Sequence, residues 1–303
     1  MIDGFLIIDK PPGITSHDVV SRVRRILGIK KVGHTGTLDP FATGVLPVAV
    51  NNGTKVIPFL DEGCKTYEAV ILLGVTTDTL DMTGVVLSES DSSRVTPEQL
   101  APLFSSFTGA ISQIPPMYSA IKQNGQPLYK LARQGVQVER KARYIEIYSL
   151  EIISFDLPLV TARVVCSRGT YIRSLADDIG QRLGCGAALK ELRRTVSGPF
   201  RIEDAVTLTE LEAAAEEGRA KSLCLLPSAA LGHLPEIPLT AEGVQGLRFG
   251  KSPPWRVTSI DPPLTCREET VVRLTADGTL VAVAIMTPVS GTDAAIKLKR
   301  VLE

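Results

Sequence analysis

Cysteine and histidine are scarce and scattered in this 303-residue chain. Cys64, Cys166, Cys185, Cys224 and Cys266 form no C-x-x-C pair, and His17, His34 and His233 stand apart from them. No zinc-ligand spacing results, and no metal is expected. The odd, dispersed cysteine set fits reduced thiols rather than a disulfide framework. Apolar residues make up 44% of the chain, yet no uninterrupted run approaches a membrane span. The opening Met1-Ile2-Asp3-Gly4 lacks the basic segment of a secretory leader, so a cytoplasmic protein without membrane association is expected. Neither a G-x-x-x-x-G-K-[ST] loop nor a dinucleotide fingerprint occurs, which removes the usual signatures of phosphate-donor and redox-carrier chemistry; no cofactor is expected. Charge of one sign is also missing: 33 Lys and Arg balance 33 Asp and Glu. That argues against blanket nucleic-acid binding, although a balanced sum can hide a basic face.

What is present begins with Gly33-His34-Thr35-Gly36-Thr37-Leu38-Asp39-Pro40-Phe41-Ala42-Thr43-Gly44-Val45-Leu46. Three glycines and a proline within twelve positions break any regular element. Gly36 and Gly44 offer positive φ or close backbone approach, and Pro40 pushes Asp39 into an extended conformation. No Lys or Arg lies between His34 and Lys55, so the central carboxylate can be left undersolvated and poised as a nucleophile. The competing reading is a glycine-rich turn in which Asp39 bonds its own backbone.

Along the chain, Gly4 to Lys10 reads as a strand stopped by Pro11-Pro12-Gly13. Thr15-x-x-Asp18 reads as a capping box ahead of Val19, Val20, Val23, Ile26 and Leu27 at helical spacing, with Gly28 as the stop. A short helix follows at Gly53 to Leu60 and a strand at Lys65 to Leu73, with Tyr67 near its start. Gly74 to Gly84, holding Asp81, is a polar turn. Thr96-Pro97-Glu98-Gln99 opens a helix running toward Phe107. Tyr144 to Ser154 and Leu159 to Cys166 read as strands, the first with a change of apolar phase. A helix starts near Tyr171 and stops at Gly184. Arg173 in its first turn opposes the helix dipole, which points to a carboxylate partner elsewhere. Glu203 to Arg219 reads as helical. Pro227, Pro235 and Pro238 mark a linker, and 239–303 reads as short strands split by Pro253-Pro254, Pro262-Pro263, Asp277-Gly278 and Gly291. Asp277-Gly278 is a strong hairpin signal.

Residues 114–143 are unusual. Lys122, Lys130, Arg133, Arg140, Lys141 and Arg143 stand against one acid, Glu139, with Tyr118 and Tyr129 interleaved. Basic side chains with aromatic rings suit phosphate neutralisation and base stacking. A solvated hairpin-helix insertion is the bland alternative.

The Gly-His-Thr-Gly-Thr-Leu-Asp-Pro-Phe-Ala-Thr-Gly-Val-Leu-Pro stretch resembles, along its whole length, the catalytic-aspartate motif of bacterial tRNA pseudouridine-55 synthases. Arg168-Gly169-Thr170-Tyr171-Ile172-Arg173 and Leu192-Arg193-Arg194 resemble two further motifs of that family, and Gly4 to Ser16 resembles its N-terminal motif, whose Lys-Pro pair is mainly structural. The resemblance implies an α+β catalytic domain on a mixed, largely antiparallel sheet over 1–232. It also implies a basic RNA-binding thumb at 114–143 and a β-rich PUA-like module at 239–303. It makes Asp39 the nucleophile and Arg173 its ion-pair partner. Tyr67 would stack on the uracil and is a candidate to take the C5 proton. Tyr171 and Leu192 would wall the pocket, His34 would fill the space left by an extruded nucleotide, and Asp81 would support the site. Lys122, Lys130, Arg133, Arg140 and Arg143 would contact the RNA. The implied substrate is the T-arm of tRNA, handled by a monomer with no obligatory protein partner.

Pseudouridine formation detaches uracil from C1′, turns it and rejoins it through C5, which requires the base out of its stack. Both direct attack of Asp39 at C1′ and assisted glycal formation are open to these residue types. A glycoside hydrolase would need a second acid about 5–10 Å from the first. Asp81 is on offer, but Trp255 is the only tryptophan for a carbohydrate platform. A purely RNA-binding protein, with the Asp39 loop structural, is the non-enzymatic rival. A guide-RNA-dependent synthase is a narrower one, disfavoured by the basic insertion and by the absence of a long Lys-rich tail.

Overall fold

A computed structural model describes residues 2–61, 63–123, 125–261, 268–288 and 295–302. Cys266, Pro262-Pro263 and Gly291 lie outside the described residues. Alternating apolar side chains build one large sheet whose main path runs Cys224–Leu225, Gly4–Lys10, Thr43–Val50, Ala187–Ser197, Cys64–Leu73, Leu159–Ser167, Arg143–Asp156, Gly109–Gln113. Neighbours on this path are antiparallel, with one exception. Thr43–Val50 meets Ala187–Ser197 in parallel, through Arg193 opposite Thr43 and Arg194 opposite Gly44. This mixed, largely antiparallel sheet with helices against it is the α+β architecture expected. The short parallel seam brings the end of the Asp39 loop directly beside Leu192, Arg193 and Arg194.

One face of the sheet lies under helices; the other is open along Cys64–Leu73 but covered at Gly4–Lys10 and Thr43–Val50. Along Cys64–Leu73, Tyr67, Ala69, Ile71 and Leu73 are buried, and the residues between them are half-exposed. The buried face packs under three helices, which contribute Val19, Val20 and Val23, then Leu100, Phe104 and Phe107, then Leu175 and Ile179 to one apolar cluster. On the other face Arg163 meets Glu68 across the strands. The change of phase in Arg143–Asp156 is a pair of register shifts, at Ile147/Ser149 and Ile152/Ser154, which turn the next side chains over.

Local signals place the helices. Thr15 and Asp18 form the reciprocal capping box of Ser16–Leu27, and Gly28 closes it with φ 64°. Thr96 and Gln99 do the same for Pro97–Phe107. Ile172–Leu183 ends at Gly184, φ 79°.

Two expectations need correction, and one element went unread. The helix expected over Glu203 to Arg219 is shorter, Leu208–Glu216, because Thr207 caps it with Glu210 and the preceding residues instead bond the sheet through Asp9 N to Val206 O. The stretch at 239–303 is not strands alone: Thr240 caps a helix, Ala241–Arg248, whose two glycines disguise it. Ala187–Ser197 is a central strand, hidden in the sequence by Lys190, Glu191, Arg193 and Arg194.

The C-terminal sheet orders Glu236–Pro238, Thr270–Ala276, Thr279–Thr287 and Ala295–Val301. Asp277 (φ 47°) and Gly278 (φ 73°) make the expected two-residue turn. Leu280, Val283 and Leu302 of this region share an apolar cluster with Phe5, Ile7, Val45, Ala49 and Phe200.

Candidate active site

The Asp39 loop lies across the helix-covered face and is tied down from below. Lys10 is fully buried and donates from Nζ to the carbonyls of Pro11 (2.9 Å), Pro40 (3.0 Å) and Ala42 (2.7 Å). Burial lowers its pKa to about 8, with the nearby Asp39 pulling the other way. Ser16 Oγ accepts from Leu38 N (2.9 Å) and donates to Leu38 O (3.2 Å). Arg194, also fully buried, donates from Nε to Val45 O (2.8 Å) and from Nη2 to Gly36 O (3.1 Å). Gly44 is obligatory here: φ is 99°, and a Cβ would sit 2.2 Å from Arg194 O.

Anchored this way, the Asp39 carboxylate does not turn back on its own backbone. It reaches a guanidinium 134 positions away: Arg173 Nε lies 2.9 Å from Oδ2, and Nη2 donates to Oδ1 at 3.0 Å. The approach is side-on: Nη2 hydrogen-bonds Oδ1, while Nε makes an ion-pair contact with Oδ2 without hydrogen-bond alignment. Arg173 is almost wholly buried, while the Asp39 side chain keeps 32% of its surface, so the pair opens on one edge only. The remaining donors of Arg173 are also engaged. Nη1 donates to Thr79 O (3.0 Å) and lies 3.5 Å from Asp81 Oδ2, and Nη2 also donates to Tyr118 O (2.8 Å). Arg173 thus sits against the helix dipole because two carboxylates and two carbonyls hold it there. Burial pushes Asp39 above the ordinary carboxyl range, Arg173 opposes this, and Asp81 adds to it.

Asp81 is buried and oriented by Thr79 Oγ1 (2.9 Å), Thr83 N (3.0 Å) and Thr83 Oγ1 (2.5 Å), all donating to Oδ1. Its turn is fastened to the Ala187–Ser197 strand by Met82 N to Leu189 O and Leu189 N to Leu80 O.

Tyr67 and Leu192 are both buried, on the same face and next to the loop. Tyr67 stands opposite Arg194 across the strands. Burial raises its phenol pKa above the ordinary value, and the Arg194 guanidinium pulls it back. Tyr171 precedes the Arg173 helix, and its backbone is clamped reciprocally by Gln113: Tyr171 N donates to Oε1 (2.8 Å) and Nε2 donates to Tyr171 O (3.1 Å). His34 ends the Val32–His34 strand, half-buried, with its pKa lowered by burial and by Arg194. Asp39, Arg173, Asp81, Tyr67, Tyr171, Leu192 and His34 therefore gather around one loop. The basic set lies apart, on the insertion. Lys122, Lys130, Arg133 and Arg143 are exposed and make no ion pair among the described residues, while Arg140 is half-buried and donates to Pro115 O (3.0 Å). Arg133 lies over the Tyr129 ring, 5.7 Å from its centre. Tyr118 and Tyr129 are half-buried rather than free.

Sequence reasoning set Lys10 aside as structural and gave no role to Ser16, Gln113 or Arg194. Arg194 lies two residues from Leu192 and shares its face by strand alternation, a signal available only once the strand itself is known. Lys10, Ser16 and Gln113 carry no comparable local mark.

Among the described residues no group of three or more His, Cys, Asp or Glu side chains is placed to hold a metal, and no helix is long and apolar enough to cross a membrane. A sequence model of the TruB family pseudouridylate synthase N-terminal domain matches residues 24–172, and one of the tRNA pseudouridylate synthase B C-terminal domain matches 173–231. A tRNA pseudouridine synthase B of Geobacter sulfurreducens is 53% identical over 295 residues, covering 93% of each chain. The chain belongs to the TruB family of pseudouridylate synthases. A second TruB-family relative, the tRNA pseudouridine synthase B of Syntrophotalea carbinolica, is 45% identical over 287 residues, covering 95% of this chain and 93% of its own. Among solved structures, a chain of a Cbf5-Nop10-Gar1 complex matches with a TM-score of 0.76 at 29% identity, covering 99% of this chain and 85% of that one. The boundary between the two TruB-family matches falls between Ile172 and Arg173, so the Asp39–Arg173 pair joins them.

Proposed function

We propose that this TruB-family enzyme isomerises uridine 55 in the T-arm of tRNA to pseudouridine. The observation that carries the reading is the Asp39–Arg173 fork, half-closed and set among Tyr67, Tyr171, Leu192 and His34. Arg173 directs the carboxylate of Asp39 toward the opening, where the ribose C1′ of an extruded uridine would lie. Asp81, fixed by Thr79 and Thr83, holds the far side of the guanidinium. Tyr67 stacks on the uracil, a contact worth about 1–3 kcal/mol, which offsets part of the few kcal/mol that extrusion costs. His34 fills the vacated space in the stack, and neutral imidazole suits that role because burial disfavours its charge. Lys122, Lys130, Arg133, Arg140 and Arg143 neutralise phosphates of the arm. We assign 1–232 to catalysis and 239–303 to a PUA-like RNA-binding module, with a monomer acting in the cytoplasm.

The test is a bare T-arm stem-loop offered to the enzyme alone, with pseudouridine read by carbodiimide labelling. Product is expected with the wild-type chain, and Asp39→Asn is expected to lose at least about 1,000-fold in rate while still binding the RNA. Product only in the presence of a helper RNA or protein would favour the guide-dependent type. No product under any condition, with binding intact, would leave an RNA-binding protein.

A further inference from the structure

Arg194 is completely buried, and no carboxylate forms an ion pair with it among the described residues. A dry guanidinium without a counter-ion is costly to keep, so its hydrogen-bond partners matter. Nε and Nη2 serve the carbonyls of Val45 and Gly36, but Nη1 has no partner. The register puts Tyr67 directly opposite Arg194, and side chains of directly opposed residues stand on the same face of a sheet. The guanidinium is close enough to the Tyr67 phenol to pull its acidity back against the effect of burial. A neutral phenol offers one O–H donor and an accepting oxygen, while a guanidinium only donates. A hydrogen bond between the two would therefore have the phenol oxygen as acceptor, which would leave its own hydrogen to point elsewhere.

We propose that Arg194 is a positioning residue for Tyr67: Nη1 donates to the phenol oxygen, fixes the ring against the uracil and turns the phenol hydrogen toward the cleft. The proposal rests on the uridine-isomerase reading, because it assigns Tyr67 a place against that base. It differs from a loop-holding role, in which Arg194 acts through Asp39 by way of the Gly36 and Val45 carbonyls. It also explains why an arginine stands at a core position flanked in the sheet by Gly44 on one side and Tyr67 on the other. The forked guanidinium can serve the loop and the phenol together, and a lysine ammonium at the same position cannot reproduce that planar geometry.

The experiment compares Tyr67→Phe, Arg194→Lys and the double variant in single-turnover tritium release from a T-arm stem-loop labelled at uridine C5. Arg194→Lys is expected to slow release at least about tenfold with stem-loop affinity within threefold. In the Tyr67→Phe background the same change should cost at least about threefold less, the remainder being the loop contacts to Gly36 and Val45. Losses that multiply would overturn the proposal and leave the loop-holding role. Should Arg194→Lys fail to fold, nitrogen-15 spectra of arginine side chains in the wild type and Tyr67→Phe decide it. The slowly exchanging guanidinium of Arg194, told apart from that of Arg173 by the response of the latter to Asp39→Asn, must shift when the phenol oxygen is removed. An unmoved resonance overturns the assignment. The spectra need no turnover, so a wild-type chain inactive on the stem-loop would sink the isomerase reading without being mistaken for loss of this contact.

Discussion

Asp39, Arg173 and Asp81 share one corner of the molecule, and the three respond differently to substitution. Arg173→Met leaves two carboxylates facing each other without their cation. Breaking a buried pair by removing one partner costs about 3–5 kcal/mol, and Asp39 recovers some of that through its exposed edge. We expect the denaturation midpoint of Arg173→Met to fall well below that of Asp39→Asn, which keeps the shape of the side chain and removes one of the two opposed acids. Equal midpoints would mean that losing the cation costs no more than losing one of the two acids. The pH dependence has a definite sign as well. In the proposed reaction Asp39 acts as a carboxylate, and its pKa lies above the ordinary value of 3.8. The rate of the chemical step should therefore fall as pH drops through that raised value, with the limb displaced upward from 3.8. A single-turnover profile flat down to pH 4 would contradict it.

Among the elements, the parallel seam between Thr43–Val50 and Ala187–Ser197 is the most exacting. Gly44 lies at its mouth with φ 99°, and any Cβ there meets the Arg194 backbone, which cannot swing aside as a side-chain tip would. Gly44→Ala combines that overlap with left-handed strain and should destabilise the fold by at least about 2 kcal/mol. A midpoint within error of the wild type would show that the strands separate more easily than the register implies. The seam also explains why the site depends on distant sequence. It carries Arg194 to the Asp39 loop, and the Asp81 turn hangs from Leu189 on the same strand.

At the scale of the whole molecule the net charge is zero, so the proposed RNA binding would fall to a local set of cations. Lys122, Lys130 and Arg133 are exposed and unpaired among the described residues, and each phosphate neutralised adds roughly 0.7–0.9 to the salt slope of log affinity. Replacing all three by Gln should flatten the slope for T-arm RNA by roughly 2–3 units. An unchanged slope would move the phosphate contacts elsewhere, for instance to the exposed Lys297, Lys299 and Arg300 of the C-terminal sheet.

Read one position at a time, the chain already declares its punctuation and its chemistry. Capping pairs at Thr15/Asp18 and Thr96/Gln99, the stops at Gly28 and Gly184 and the Asp277-Gly278 turn all depend on neighbours within a few residues, so local sequence suffices. Arg173 was legible as a charge misplaced for its helix. Which carboxylate answers it came only from the family resemblance, because the partner lies 134 positions away and only the sheet order brings them together. Distance along the chain likewise hides Lys10 beneath Pro40, Gln113 clamping Tyr171, and Arg194 opposite Tyr67. Contacts of that kind arise from strand register and packing, to which residues distant along the chain contribute jointly, and no short window of sequence contains both partners.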